Sequence, residues 1–235
     1  MKSLLKLSSL LLLFPLLFVA CKKENKDETP TGPLGPKYPQ VINNVITPEI
    51  LESLKKNGMT VNSGTTPPTI NGVFLFSPAY CSFDNSGNNL QGRYFNDYKL
   101  QFKNQNTNEY TVSMEYKDVS DGTDSGGDNN ATYISGENNL FTVFSQVKGK
   151  SGSVNYVALD VISGEAAGGS MKNLVWSHYL VSKEGDEANL FLVPVGTTRI
   201  FKDENGLSGV QTTFDVLPNN LQTIVKKSLS LSTAR

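Results

Sequence analysis

Two cysteines, one histidine and one tryptophan are spread over 235 residues, and each shortage closes off some chemistry. If Cys21 is modified, as argued below, Cys81 is the one thiol left, so no intramolecular disulfide can form and core burial must hold the fold. One histidine and one free thiol leave too few soft ligands for a zinc site. With His178 the single imidazole, Cys81–His178 is the one thiol–imidazole pair the chain can make, and nothing in their spacing favours it. A serine flanked by glycines two before and two after, as in hydrolase elbows, is missing. Charge of one sign is missing too: 21 basic residues face 22 acidic ones, and no basic patch marks a nucleic-acid binder. Nor is there an apolar run of the roughly 20 residues a helix needs to cross a bilayer.

What is present at the start is Lys2 and Lys6, then an uncharged, leucine-dominated stretch over residues 7–20. A basic start, a short apolar run and a small residue, Ala20, describe an export signal that is cut away. Leu16-Leu17-Phe18-Val19-Ala20-Cys21 resembles the lipobox of bacterial lipoproteins, with phenylalanine at position 18 where leucine is usual. The resemblance implies a diacylated Cys21 thiol, cleavage before it and acylation of the new amino group. Two or three acyl chains would anchor the protein stably, where a single chain binds only marginally. Lys22 to Glu28 resembles the charged export signals of Bacteroidota surface lipoproteins, and reads equally well as a solvated linker. The implied location is the outer membrane, at the surface or the periplasmic face, with the membrane as partner through Cys21. Removing Lys2 and Lys6 leaves a mature net charge of about −3.

The expected organisation is a signal over 1–20, a lipid-anchored tether over 21–40 with Pro30, Pro33, Pro36 and Pro39, and one β-rich domain over 41–235. At about 3.1 Å per residue such a tether would reach up to roughly 60 Å. A helix is expected over 47–57: Thr47 caps, Pro48 takes the first position, Glu49 and Glu52 suit the amino-terminal dipole, and Gly58 follows Lys55 and Lys56. Its apolar stripe, Ile50, Leu51 and Leu54, would pack on the domain or plug one end of it. Near the end, spacing after Pro218 predicts a short helix over 219–229.

From Thr69 on the period is two. Tyr98, Leu100 and Phe102 alternate with charged or polar residues, as do Tyr110, Val112, Met114 and Tyr116, and a five-residue polar loop between them makes a hairpin. Further strands are expected over 70–76, 131–135, 139–148, 153–163, 172–182, 189–195, 197–202 and 209–216. The fold class is therefore all-β, an antiparallel lipocalin-like barrel, with a two-sheet sandwich as the alternative.

Polar motifs mostly read as connections. Gly149-Lys150-Ser151 imitates a phosphate loop, but Phe144 stands where that loop needs glycine, so a hairpin turn is expected. Asp118, Asp121, Asp124 and Asp128 sit among glycines and asparagines without the alternation of a calcium loop, so 118–130 reads as a loop between strands. Glycan-binding modules stack sugars on several tryptophans; here Trp176 stands alone, with Tyr80, Tyr94 and Tyr133 as substitutes. In Leu174-Val175-Trp176-Ser177-His178-Tyr179-Leu180 a strand puts Leu174, Trp176, His178 and Leu180 on one face. If that face points inward, Trp176 and His178 line a barrel that can hold one small ligand.

Val45 to Pro78, with Ile46-Thr47-Pro48-Glu49-Ile50 and Gly64-Thr65-Thr66-Pro67-Pro68, resembles a recurrent opening of uncharacterised Bacteroidota lipoproteins, as does Val195 to Asp203. That resemblance implies location and fold. The functions expected are non-enzymatic binding of a small apolar or glycan ligand, or else a structural or protein-interaction role with a packed core; a hydrolase comes third. No catalytic residue, metal site or cofactor is expected.

Overall fold

The computed structural model describes residues 32–216. Cys21, the signal segment and the 219–229 helix lie outside the described residues. Ten strands form one antiparallel sheet: β1 (Gly72–Phe76), β2 (Ala79–Asp84), β3 (Tyr98–Asn106), β4 (Thr111–Asp118), β5 (Asp124–Glu137), β6 (Leu140–Ser151), β7 (Val154–Ala167), β8 (Ser170–Glu184), β9 (Thr198–Asp203) and β10 (Leu207–Ser208).

The ten strands make eight staves. β1 and β2 are one stave bent at Ser77-Pro78, because β1 pairs with β3 while Tyr80, just beyond the bend, bridges Tyr94 in the lead-in to β3. β9 and β10 are one stave broken at Asp203–Gly206, both lying along β8. From β3 to β8 each strand pairs with the next across a short turn, and the 185–197 loop joins β8 to β9. The first and last staves then meet: β2 pairs with β9, Leu75 N–H donates to Gly209 O at 3.0 Å, and Gln211 N–H donates to Val73 O at 2.7 Å. The sheet closes on itself, leaving no long free edge, and the sandwich alternative is excluded. The result is an up-and-down barrel of lipocalin-like architecture.

Alternation along each strand sorts side chains in or out. Leu100, Phe102, Val112, Met114, Tyr116, Ile134, Val143, Tyr156, Ile162, Leu174 and Trp176 fill the interior. Outward residues of β6 to β9 are apolar as well: Phe144, Leu159, Val161, Val175 and Ile200 are all buried. They are covered by the chain preceding β1. A 3-10 turn (Gln40–Asn44) brings Ile42 down, and α1 (Pro48–Lys56) adds Leu51 and Leu54. The Thr47 hydroxyl accepts from Ile50 N–H, capping α1 as its sequence predicts. Burial of each large aliphatic side chain here contributes about 1.5–3 kcal/mol. So α1 roofs the outer wall and does not plug an end. Residues 32–40, assigned to the tether on composition, are laid on the barrel: Tyr38 is buried, its ring 6.3 Å from that of Phe144 in an edge-on contact.

Four sequence expectations fail. Residues 124–130 are strand, and the loop before them is clamped by Asp118, whose carboxylate accepts from the backbone of Ser120, Asp121 and Asp124 at 2.8–3.1 Å. Gly149-Lys150-Ser151 ends β6, and the turn comes after it. Residues 189–195 form no strand; Asp186 takes the N–H groups of Leu190, Phe191 and Leu192 at 2.7, 3.1 and 2.8 Å and folds the segment into a loop. The expected strand over 209–216 is reduced to the single bridge at Val210, and β10 falls just before that span.

One lateral row explains the glycines of β5 and β6. Tyr116, Gly126, Gly149 and Tyr156 are successive cross-strand partners. A β-carbon added at Gly126 would overlap the Tyr116 ring, and one at Gly149 the Tyr156 ring. The glycines let both rings lie flat along the wall until their hydroxyls meet, 2.5 Å apart.

Candidate functional site

The two ends of the barrel differ. At the end carrying the turns 107–110, 138–139 and 168–169, aliphatic and aromatic side chains fill the interior. At the other end, under the 185–197 loop, a cavity of about 200 Å³ remains. Its walls are Phe95, Tyr98, Tyr116, Tyr156, Trp176 and Phe201, and Leu192 and Val193 roof it. Trp176 is the hub of the walls, with ring centroids 5.0 Å from Tyr116, 5.1 Å from Tyr98 and 6.0 Å from Phe76. Both ligand-lining residues read from the sequence, Trp176 and His178, are brought together here, facing inward as the alternation of β8 requires.

Polar groups enter this aromatic cup from several staves. Asp124, at the start of β5, accepts from Tyr98 Oη at 2.6 Å and Tyr156 Oη at 2.9 Å. Register places Asp160 of β7, His178 of β8 and Arg199 of β9 in one row across the wall. His178 Nδ1 is 2.7 Å from Asp160 Oδ1. Arg199 lies over the Phe95 ring at 5.2 Å, with Nε 3.6 Å from Asp84 Oδ1, too long for a hydrogen bond.

Burial sets the electrostatics. It pushes the phenols of Tyr98, Tyr116 and Tyr156 well above their usual range, keeping them neutral donors. It also raises Asp124 above an ordinary aspartate, although the two tyrosine hydroxyls work the other way. For His178 burial works against the proton, but the Asp160 carboxylate, helped by Asp124, more than offsets it; Arg199 opposes them, and the net direction is upward. A histidine pKa higher in the fold than in the unfolded chain gives stability that is fully present below about 6.5. That stability is lost as pH rises through the folded value. Urea midpoints measured from pH 5.5 to 9 are expected to fall through that window, and to flatten in a His178→Gln variant.

Two donors in the lining have no hydrogen-bond partner among the described residues: Trp176 Nε1 and Arg199 Nε. Trp176 is only 4% exposed. A buried polar atom left unpaired costs about 1–3 kcal/mol, and the same polar row also holds an unpaired acceptor, Asp160 Oδ2.

The other residues singled out in the sequence fall elsewhere. Cys81 is buried, its thiol donating to Phe83 O at 3.3 Å, and its partner is not His178. Among the described residues no serine, threonine or cysteine is hydrogen-bonded to His178, and no three His, Cys, Asp or Glu side chains converge on a metal position. Tyr80 and Tyr94 stack against each other at 5.6 Å, with Tyr94 exposed, and Tyr133 packs with the N-terminal cover. Sequence reading missed Asp160, Asp124 and Arg199. The apolar run of β7 broken by one aspartate was the available signal for Asp160.

No protein-family model, curated protein or solved structure matches this chain.

Proposed function

We propose that this chain is a bacterial outer-membrane lipoprotein, anchored through Cys21, whose barrel binds a small ligand without converting it. The site is the cup beneath the 185–197 loop. The observation that carries the reading is the cavity of about 200 Å³ walled by six aromatic rings, among them Trp176, whose Nε1–H has no hydrogen-bond partner among the described residues. Ligand pockets for drug-sized molecules run to about 300–1,000 Å³, so the cup suits something smaller, such as a single ring. Six aromatic walls favour a flat or apolar body, and Trp176 and Arg199 call for one acceptor group on it. Trp176 and His178 are the lining residues proposed from the sequence, and Arg199 joins them.

A protein-interaction role has one specific observation in its favour. Leu190, Phe191 and Val195 of the roofing loop are 78%, 73% and 54% exposed, an unusual concentration of apolar side chains on one loop.

Native mass spectrometry of protein purified from producing cells without denaturation tests the binding reading. A small non-covalent adduct is expected, with occupancy at least about tenfold lower in Trp176→Phe, which keeps a ring but loses the donor. Bare protein mass in both samples would remove the small-ligand reading and favour the interaction role.

A further inference from the structure

The outer wall carries a second concavity. A groove of about 630 Å³ opens to solvent across β4 to β8. Gly127 puts nothing on its outer face, and behind it the Tyr116 and Tyr156 rings lie flat over Gly126 and Gly149.

Register dictates what the groove presents. Lys117, Ser125, Lys150, Asn155 and Glu184 are successive outward neighbours on β4 to β8, with Lys148 and Ser182 in the next row. Strands lie about 4.8 Å apart, so Lys117 and Lys150 spring from points roughly 10 Å apart. Lys117 Nζ stands 5.1 Å from the Phe214 ring centroid at the rim. Among the described residues Lys117, Lys148 and Lys150 form no ion pair. Of the two glutamates in the lining, Glu115 is already held by Lys103 at 2.8 Å.

The surplus of positive charge is not neutral for the fold. Lys117 directly faces Lys99 across β3 and β4, and like charges in that position are destabilising. Asp215 offsets part of this on the β3 side, its carbonyl oxygen accepting from Lys99 Nζ at 2.7 Å and its charge favouring the ammonium, whereas Lys117 has no ion pair among the described residues. Residues 217–235, which continue from just beyond Phe214, contain Lys226, Lys227 and Arg235 and neither aspartate nor glutamate.

We propose that this groove binds an acidic glycan, sugar rings bearing carboxylate or sulfate. The anionic groups would meet Lys117, Lys148 and Lys150, ring hydroxyls would meet Ser125, Asn155 and Ser182, and Phe214 offers a ring face at the rim. Uncharged hydrogen-bonding side chains interleaved with lysines suit a hydroxylated polymer. Single-stranded nucleic acid is instead gripped by successive stacking aromatics, and here Phe214 is the one aromatic ring at the outer rim. The site is separate from the cup and does not rest on it.

Calorimetric titration of the full chain with an oligogalacturonate and with a heparin oligosaccharide tests this. A neutral cello-oligosaccharide and a single-stranded DNA of equal charge serve as comparisons. Binding of at least one acidic glycan is expected, weakened about tenfold or more by the exposed pair Lys148→Glu/Lys150→Glu and less by Lys148→Gln/Lys150→Gln. The carboxylate and sulfate arms tell the two anion types apart. Absence of binding to both, equal binding to DNA, or binding undiminished in the Glu variant each overturns the proposal.

Discussion

Alanine at Trp176 is expected to lower the free energy of unfolding by about 3–5 kcal/mol, the range for deleting a large buried aromatic. Trp176 is 4% exposed and stands where the packed and hollow parts of the barrel meet. Its ring touches Phe76 on one side and Tyr98, Tyr116 and Phe201 on others, so its removal would join a void to the existing cup. The surrounding rings come from four different strands of a closed sheet and cannot collapse into the gap together. Urea unfolding followed by circular dichroism measures the loss. A cost below about 1 kcal/mol would mean that the interior does not pack around this residue.

Opening of the roof under acid is the second large effect. Asp186 is held below the usual carboxylate range first by Lys183, whose Nζ lies 2.8 Å away, and then by the Leu192, Phe191 and Leu190 amides; burial works the other way. A carboxylate lowered in the fold stabilises it above the unfolded pKa, near 3.8, and that contribution is lost as pH falls through the folded value. Lys183 also donates to Asn189 Oδ1 at 2.7 Å and Leu192 O at 3.2 Å, so one lysine and one aspartate tie down the whole loop. Hydrogen bonds to an ionised acceptor are stronger than those to a neutral one, and neutralising Asp186 weakens all of them at once. An Asp186→Asn variant at neutral pH should therefore exchange the Leu190, Phe191 and Leu192 amide hydrogens about tenfold to a hundredfold faster than wild type. Amides of β6 and β7 should be unchanged. Equal rates in wild type and variant would show that the loop is held by something else.

These two residues differ in how far sequence could reveal them. Alternation puts Leu174, Trp176, His178 and Leu180 on one face of β8, and the closed sheet turns that face inward. The β3–β4 hairpin was legible for the same reason. β2 was not, since its register shifts between Cys81 and Phe83 and the alternation breaks there. The apolar run Leu190-Phe191-Leu192-Val193 imitates a strand, yet its amides are claimed by the Asp186 carboxylate before any neighbouring strand can reach them. The opposite error arose at 124–130, where glycines and asparagines look like a loop; Gly126 belongs to the strand and its missing β-carbon makes room for the Tyr116 ring of β4.

Within the cup, pairing across strands is what sequence hides. Asp160 and His178 are 18 positions apart and face each other because the β7–β8 hairpin shifts register between Ser163 and Glu165. Asp124 gathers Tyr98 and Tyr156 from two other staves, a convergence no local pattern encodes. The closed barrel follows from strand number and short turns. The half-empty upper end does not, because it depends on where the polar row falls.

The chain has one tryptophan, so its indole N–H gives a single nitrogen–proton correlation in an NMR spectrum. Comparing protein purified gently from producing cells with the same protein unfolded, stripped and refolded tests the central claim directly. The cup reading predicts a displaced indole resonance in the native sample that returns when the stripped extract is added back. An identical resonance in all three samples would contradict it.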